Sequence, residues 1–128
     1  MGLDALVGLD ILEVTPVRVR GRIRIDERHL QPMGLPHGGL HADLAESLAS
    51  YGAVTAVRTR DPRASAVGLE NHTTFVRAVR ASAELRIEAT PVHAGSRTHV
   101  WSVEIRDDRD RLVARSTVRL LVVQPDTV

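Results

Sequence analysis

The chain has 128 residues, a length that suits one compact domain with a single core, so we expect residues 1–128 to form one domain. Its 17 basic and 16 acidic residues leave a net charge of +1. This small net charge gives no electrostatic reason to expect nucleic acid or a membrane surface as a partner. The absence of cysteine excludes disulfides, thiolate metal sites and cysteine nucleophiles. The N-terminal "MGLDALVGLDILEV" contains acidic residues and no continuous apolar run, so we expect a soluble, cytoplasmic protein without a secretion signal or membrane span.

The first clear periodicity lies in "PVRVRGRIRI", residues 16–25, and it predicts a β-strand. Apolar residues alternate there with arginines, as expected for a strand with one buried and one solvated face. The apolar set is Val17, Val19, Ile23 and Ile25, and the polar set is Arg18, Arg20, Arg22 and Arg24. The arginine row fits a solvated sheet face, and a track for phosphates is the alternative.

One long helix is predicted from His37 to Val57, after a loop rich in proline and glycine. Its interior contains several small residues, which predicts that another backbone packs close to it. Beyond the helix the period returns to two in four segments separated by turn signals. These segments cover residues 65–76, 82–92, 97–107 and 111–123. The order indicates an α+β fold in which an antiparallel sheet packs on one helix. One helix covers only part of such a sheet, so we expect a dimer or larger assembly.

The start of the predicted helix contains Gly38 and Gly39 directly after His37. Amides at a helix start have no internal partner and point outward with the positive end of the helix dipole. They can therefore hold an oxygen that becomes negative during a reaction. The alternative is that the two glycines only shape a tight turn.

Glu46 lies about two turns into the helix, and Ser50 follows on the same face. A carboxylate and a hydroxyl one turn apart can share a water molecule. The glutamate can then act as a general base, or attack a carbonyl directly. Asp43 competes for this role, although acidic residues near a helix start are often only partners of the dipole. An exposed surface position is the ordinary alternative for Glu46.

His37 and His41 have the HxxxH spacing, with Glu46 nearby, so a metal site must be considered. A zinc site needs matched geometry, and a histidine followed by two glycines is a poorly preorganised ligand. We therefore expect no metal and no cofactor. A serine hydrolase is also disfavoured because the chain has no GxSxG motif.

The stretch "QPMGLPHGGLHADLAESLAS", residues 31–50, resembles the signature of hotdog-fold acyl-CoA thioesterases of the phenylacetate-pathway and 4-hydroxybenzoyl-CoA thioesterase type. Within that family it is similar to members that cleave 1,4-dihydroxy-2-naphthoyl-CoA or proofread the aryl carrier protein of enterobactin synthesis. The match comprises a glutamine six residues before the histidine, the HGG itself and an acid nine residues after the histidine. The stretch "VGLENHTTFVRAV" is similar to the family's next strand, and the resemblance covers about residues 6–123.

This resemblance implies a hotdog fold with the long helix wrapped by the sheet, and an enzyme that hydrolyses a thioester. Glu46 would be the catalytic base or nucleophile, and Gly38 would polarise the carbonyl through its amide, with Gly39 beside it. Gln31 and His37 would orient the carbonyl, the carboxylate or the leaving group. Ser50 would hold the attacking water. The resemblance also implies a site at a dimer interface, and two dimers that form a homotetramer.

At the position where these relatives carry a His-His or similar pair, this chain has Phe75 and Val76. We therefore expect a more apolar acyl pocket, suited to an aryl or medium-chain acyl-CoA or to an acyl carrier protein thioester. Three arginines are candidates for binding the CoA phosphates, namely Arg77, Arg80 and Arg97. The alternative functions are a hotdog enoyl-CoA hydratase or dehydratase, and a non-catalytic acyl-CoA-binding protein.

Overall fold

The structure is a computed structural model that describes residues 2–125. Two α-helices and six β-strands form the fold, and a short 3₁₀ turn over Glu27–His29 precedes the second helix. The helices are α1 (Leu3–Val7) and α2 (Gly38–Arg58). The strands are β1 (Asp10–Thr15), β2 (Arg18–Arg24), β3 (Ser65–Phe75), β4 (Glu84–Ala94), β5 (Thr98–Arg106) and β6 (Leu112–Val123). No helix in this range is long and apolar enough to cross a membrane.

The six strands form one antiparallel sheet in the order β1-β2-β4-β5-β6-β3. Helix α2 contacts every strand, so the sheet curves around it and the core lies between the two. The predicted α+β class, the long helix and the four later strands are confirmed. Strand β3 is an edge strand, and its outer side has no neighbour within residues 2–125.

Small residues on α2 allow the helix to pack tightly on the inner face of the sheet. Ala45, Ala49 and Ala53 are fully buried. At Gly52 a methyl group would collide with the indole ring of Trp101 on β5. The close neighbour at this point is therefore a side chain, whereas the sequence had suggested a backbone.

The region before residue 16 precedes the first element that the sequence predicted. It contains α1 and β1. Exposure alternates along β1 without interruption. The amino acids do not follow it, because apolar Leu12 and Val14 are exposed while polar Glu13 is half-buried, so no apolar alternation marks this strand in the sequence. The inward position predicted for Val17 is wrong, because this residue lies in the β1–β2 turn and is 67% exposed.

The arginine row on β2 is a solvated, ion-paired sheet face. Arg18 and Arg20 contact Glu13, at 2.9 and 3.2 Å, and all three side chains are substantially exposed. Arg22 contacts Asp10 in the same way. Each of these arginines has a carboxylate partner, with Glu13 shared by two of them, so the structure favours a surface face over a track for phosphates.

Candidate active site

The start of α2 is capped by the side chain of His37. The His37 Nδ1 atom accepts a hydrogen bond from the Gly39 amide at 2.8 Å. Gly39 therefore departs from the role predicted for it, because its amide is already occupied. The Gly38 amide is the first of the helix and has no hydrogen-bond partner within the described part of the chain. Because Nδ1 is an acceptor, a neutral His37 carries its proton on Nε2 and can donate outward.

Phe75, at the end of β3, lies directly over Gly38. A methyl group on Gly38 would be only 2.8 Å from the aromatic ring, so no other residue fits there without a shift. His41, one turn further along α2, is buried with its ring centroid 6.0 Å from that of Phe75. Burial lowers the pKa of His41, and this favours a neutral ring. Phe75 therefore places an apolar ring directly beside the Gly38 amide.

Gln31 lies on the same surface as Gly38 and Phe75. Its Oε1 atom accepts a hydrogen bond from the Met33 amide, which leaves the Nε2 group free to donate. Gln31, Gly38, Phe75 and Arg77 line one concavity of about 400 Å³. We call this surface, together with the capping His37, the helix-start half-site. It offers N–H donors in apolar surroundings.

Glu46 is half-buried between α2 and β3, and its carboxylate is held in place. Asn71 of β3 donates from Nδ2 to Glu46 Oε1 at 3.2 Å and to the Ala42 carbonyl at 2.9 Å. The carboxylate packs against Gly68, where a methyl group would collide with Oε2. The exposed surface position considered for Glu46 is therefore not what the structure has.

A chain of hydrogen bonds supports Asn71 from behind. Its Oδ1 accepts from Thr73 Oγ1 at 2.7 Å, and the Thr73 oxygen is 2.7 Å from the Oγ atom of buried Ser116. The Thr73 hydroxyl proton is used in the bond to Asn71, so Ser116 must donate to Thr73. Each hydrogen bond of this series therefore points towards Glu46. Sequence reasoning missed Asn71, although an asparagine inside a strand is unusual.

Ser50 lines the same concavity as Glu46, on the same face of α2, as predicted. This concavity has a volume of about 500 Å³ and also includes Tyr51 and Asp4. We call Glu46, Ser50 and Asn71 the mid-helix half-site. Asp4 fixes α1 to α2, because its carboxylate accepts hydrogen bonds from Ser47 Oγ at 2.7 Å and from Tyr51 Oη at 2.8 Å. Sequence reasoning did not find this contact.

Asp43, the competing carboxylate, has unfavourable surroundings for a negative charge. Its Oδ2 atom is buried and has no hydrogen-bond partner. Burial raises the pKa of Asp43, and the nearby charges of Asp4 and Glu46 raise it further. Glu46, which has a donor, is better suited to carry a charge. No group of three potential metal ligands occurs among residues 2–125.

The two half-sites lie about two turns apart along α2. Gly38 and Glu46 are eight residues apart, which corresponds to about 12 Å along the helix axis. A reacting carbonyl must have its oxygen about 3 Å from the amide and its carbon about 3 to 3.5 Å from the attacking atom. The axial spacing of Gly38 and Glu46 is larger than these two distances together, and the Glu46 side chain, which leans towards the helix start, spans part of it.

The three predicted phosphate-binding arginines do not come together in one chain. Arg77 lines the helix-start half-site, and Arg80 lines a neighbouring concavity together with Arg109 and Arg111. Arg97 lies in the turn between β4 and β5, beyond the other end of α2, where its carbonyl accepts from the Val122 amide.

Comparison with known proteins relates this chain to a family. The model of the thioesterase superfamily matches residues 33–114. The 1,4-dihydroxy-2-naphthoyl-CoA hydrolase of Escherichia coli strain K12 is 35% identical over 117 residues, which are 91% of this chain and 78% of that protein.

Solved structures agree with this match. Protein Rv1847/MT1895 of Mycobacterium tuberculosis has 36% identity and a TM-score of 0.90, over 94% of this chain and 95% of that one. Thioesterase HI1161 of Haemophilus influenzae has 27% identity and a TM-score of 0.88, over 96% and 83% of the two chains. The hotdog fold inferred from residues 31–50 is confirmed, and this chain belongs to the thioesterase superfamily as a thioester hydrolase.

Proposed function

We propose that this protein is an acyl-CoA thioesterase that hydrolyses an aryl or medium-chain acyl-CoA to the free acid and CoA. The observation that carries the proposal is the Glu46 carboxylate, which Asn71 holds beside an open concavity. The similar E. coli protein is named for the hydrolysis of an aryl-CoA. An acyl carrier protein thioester would present the same carbonyl.

In the proposed reaction, Glu46 takes a proton from a water molecule that Ser50 holds, and the water oxygen attacks the thioester carbon. The Gly38 amide donates to the carbonyl oxygen as it becomes negative. The C–S bond then breaks, and the thiolate receives the proton from Glu46 or is stabilised by the donors of Gln31 and His37. In the alternative route Glu46 attacks the carbon directly, and water hydrolyses the resulting anhydride.

A dimer formed through the free edge of β3 would bring the two half-sites together. Phe75, above Gly38, and Gly68, beside Glu46, lie near opposite parts of β3. If two copies of β3 pair antiparallel about an axis near residues 71–72, the Phe75 end of one strand lies beside the Gly68 region of the other. Each site would then combine Gly38 of one subunit with Glu46 of its partner. The exposed Val67 and Leu69 on β3 would be covered by this pairing.

The expected homotetramer of two such dimers and the cytoplasmic location belong to the same proposal. Arg77 and Arg80 remain the candidates for the CoA phosphates near the helix-start half-site. Arg97 could contribute to a site only from another subunit.

The test is a panel of aryl, short-chain and medium-chain acyl-CoAs in the presence of a chelator, with release of thiol as the signal. We expect hydrolysis of aryl or medium-chain substrates, and a loss of several orders of magnitude in Glu46→Gln with an unchanged melting temperature. Hydration of crotonyl-CoA without thiol release would indicate the hydratase alternative instead. Full activity in Glu46→Gln would refute the assignment of Glu46.

Mixing two inactive variants tests whether the site is shared between subunits. Glu46→Gln and Gln31→Ala each damage a different half-site, and a mixed dimer would contain one site with both changes and one intact site. Co-refolding equal amounts should therefore restore about a quarter of the wild-type activity. If the site belonged to one chain, the mixture would stay inactive, because every chain carries a defect.

A further inference from the structure

A second cavity lies at the C-terminal end of α2, away from both half-sites. Its volume is about 290 Å³, and it shares no lining residue with either half-site. The walls are mainly apolar and come from the end of α2, the β1–β2 turn and the β4–β5 hairpin. They include Val17, Ala56, Val57, Ala64, Pro91 and Val122.

His99 on β5 also lines this cavity and is 98% buried, with 2% of its surface exposed. The Trp101 Nε1 atom donates to His99 Nδ1 at 3.1 Å. The indole nitrogen can only donate, so His99 Nδ1 must be the acceptor and carries no proton. Burial lowers the pKa of His99, and the charges of His93 and Arg60 lower it further, so the ring is neutral. Its one proton is therefore on Nε2.

The Nε2–H group of His99 has no hydrogen-bond partner in the described residues. The buried side-chain atoms without a partner in these residues are His41 Nδ1 and Asp43 Oδ2, so His99 Nε2 is in contact with the open cavity and can donate to an acceptor there. The cavity has the volume of about ten water molecules, or of a small organic molecule with a similar number of heavy atoms.

Arg60 gives the cavity a positive charge. It lines the cavity, is exposed and makes no ion pair within residues 2–125. Asp61 also lines the cavity, but its Oδ1 atom accepts from the Arg63 amide at 3.0 Å and contacts the Arg63 guanidinium at 3.7 Å. The charge of Asp61 is thus partly compensated from outside, whereas that of Arg60 is available to a ligand.

From these contacts we propose that this cavity binds a small apolar monocarboxylate, with its carboxylate between His99 Nε2 and Arg60 and its apolar body against the alanine, valine and proline walls. A carboxylate can accept the hydrogen bond from His99 Nε2 and can also neutralise the Arg60 guanidinium. A neutral molecule can do only the first of these. This site does not depend on the proposed thioesterase reaction, although the product of that reaction belongs to the same chemical class.

Trp101 is the only tryptophan of the chain and reports on His99 directly, since the two rings share a hydrogen bond. Titration of the full-length protein with hexanoate and benzoate should give a saturable change in tryptophan fluorescence. Hexanamide and benzamide match the acids in shape without their charge, and they should bind about tenfold more weakly. Equal affinity for acids and amides, or no saturable change with any acid, would overturn the proposal.

Substitutions in the cavity test whether the acid binds there. Ala56→Leu places a larger side chain in the cavity from a half-buried helix position and should abolish the fluorescence change while preserving the fold. Arg60→Gln should weaken acid binding about tenfold. Arg24→Gln removes the same charge from the far end of β2 and should have no effect. Glu46→Gln should also bind normally. If Ala56→Leu and Arg60→Gln bind as the wild type does, the acid occupies another place and the assignment is wrong.

Discussion

Replacing Gly68 with alanine should impair hydrolysis while every proposed reacting residue stays in the sequence. The added methyl group would lie well inside the 3.0 Å limit that real Cβ contacts respect, and the atom it meets is Glu46 Oε2. The carboxylate stands at the end of a flexible side chain, so it moves by about 1 Å and the strand does not. A displacement of about 1 Å in a reacting group costs roughly 100-fold in rate. We therefore expect kcat to fall about 100-fold.

The assay is steady-state thiol release from the best acyl-CoA, together with a thermal melt and a measurement of oligomeric state. Gly68 does not have a positive φ, so alanine is compatible with its backbone and the melting temperature should be nearly unchanged. Glu70→Ala is the control, because Glu70 is exposed on the same strand and its one ion pair within residues 2–125 is with Arg119, at 3.8 Å. A Gly68→Ala enzyme with wild-type kcat and intact assembly would show that the Glu46 position seen here is not the reactive one.

Three further changes test the surroundings of the site. Asn71→Leu removes the donor to Glu46 and should lower kcat about tenfold with little change in KM; an effect confined to KM would count against a positioning role. Gly52→Ala should lower the free energy of unfolding by about 1 to 3 kcal/mol in a denaturant titration, because the clash with Trp101 outweighs the gain of about 1 kcal/mol in helix propensity. Asp43→Asn should raise the melting temperature at pH 7, because the raised pKa of Asp43 means that its charge opposes folding above that pKa. The gain should shrink as the pH falls through the raised pKa and disappear below the unfolded value of 3.8, where the wild-type side chain is protonated in both states; a gain that grows on acidification contradicts this account.

The local elements could be predicted from the sequence because burial is one-sided along them. The apolar positions of β4 repeat every two residues, and those of α2 repeat with the helical period, so both patterns follow from local geometry. Strand β1 could not be found in this way, because its apolar Leu12 and Val14 are exposed and its polar Glu13 is half-buried.

The sequence by itself determined the chemical groups on α2 and their spacing, since His37, Gly38, Glu46 and Ser50 belong to one continuous helix start and its following turns. The contacts that give these groups their properties depended on the tertiary structure. Asn71 reaches Glu46 from 25 residues away, Asp4 reaches Tyr51 from 47 residues away, and Phe75 covers Gly38 from another strand. Such contacts depend on how the sheet curves around the helix, and no local periodicity encodes that curvature. The cavity beside His99 follows from the same packing.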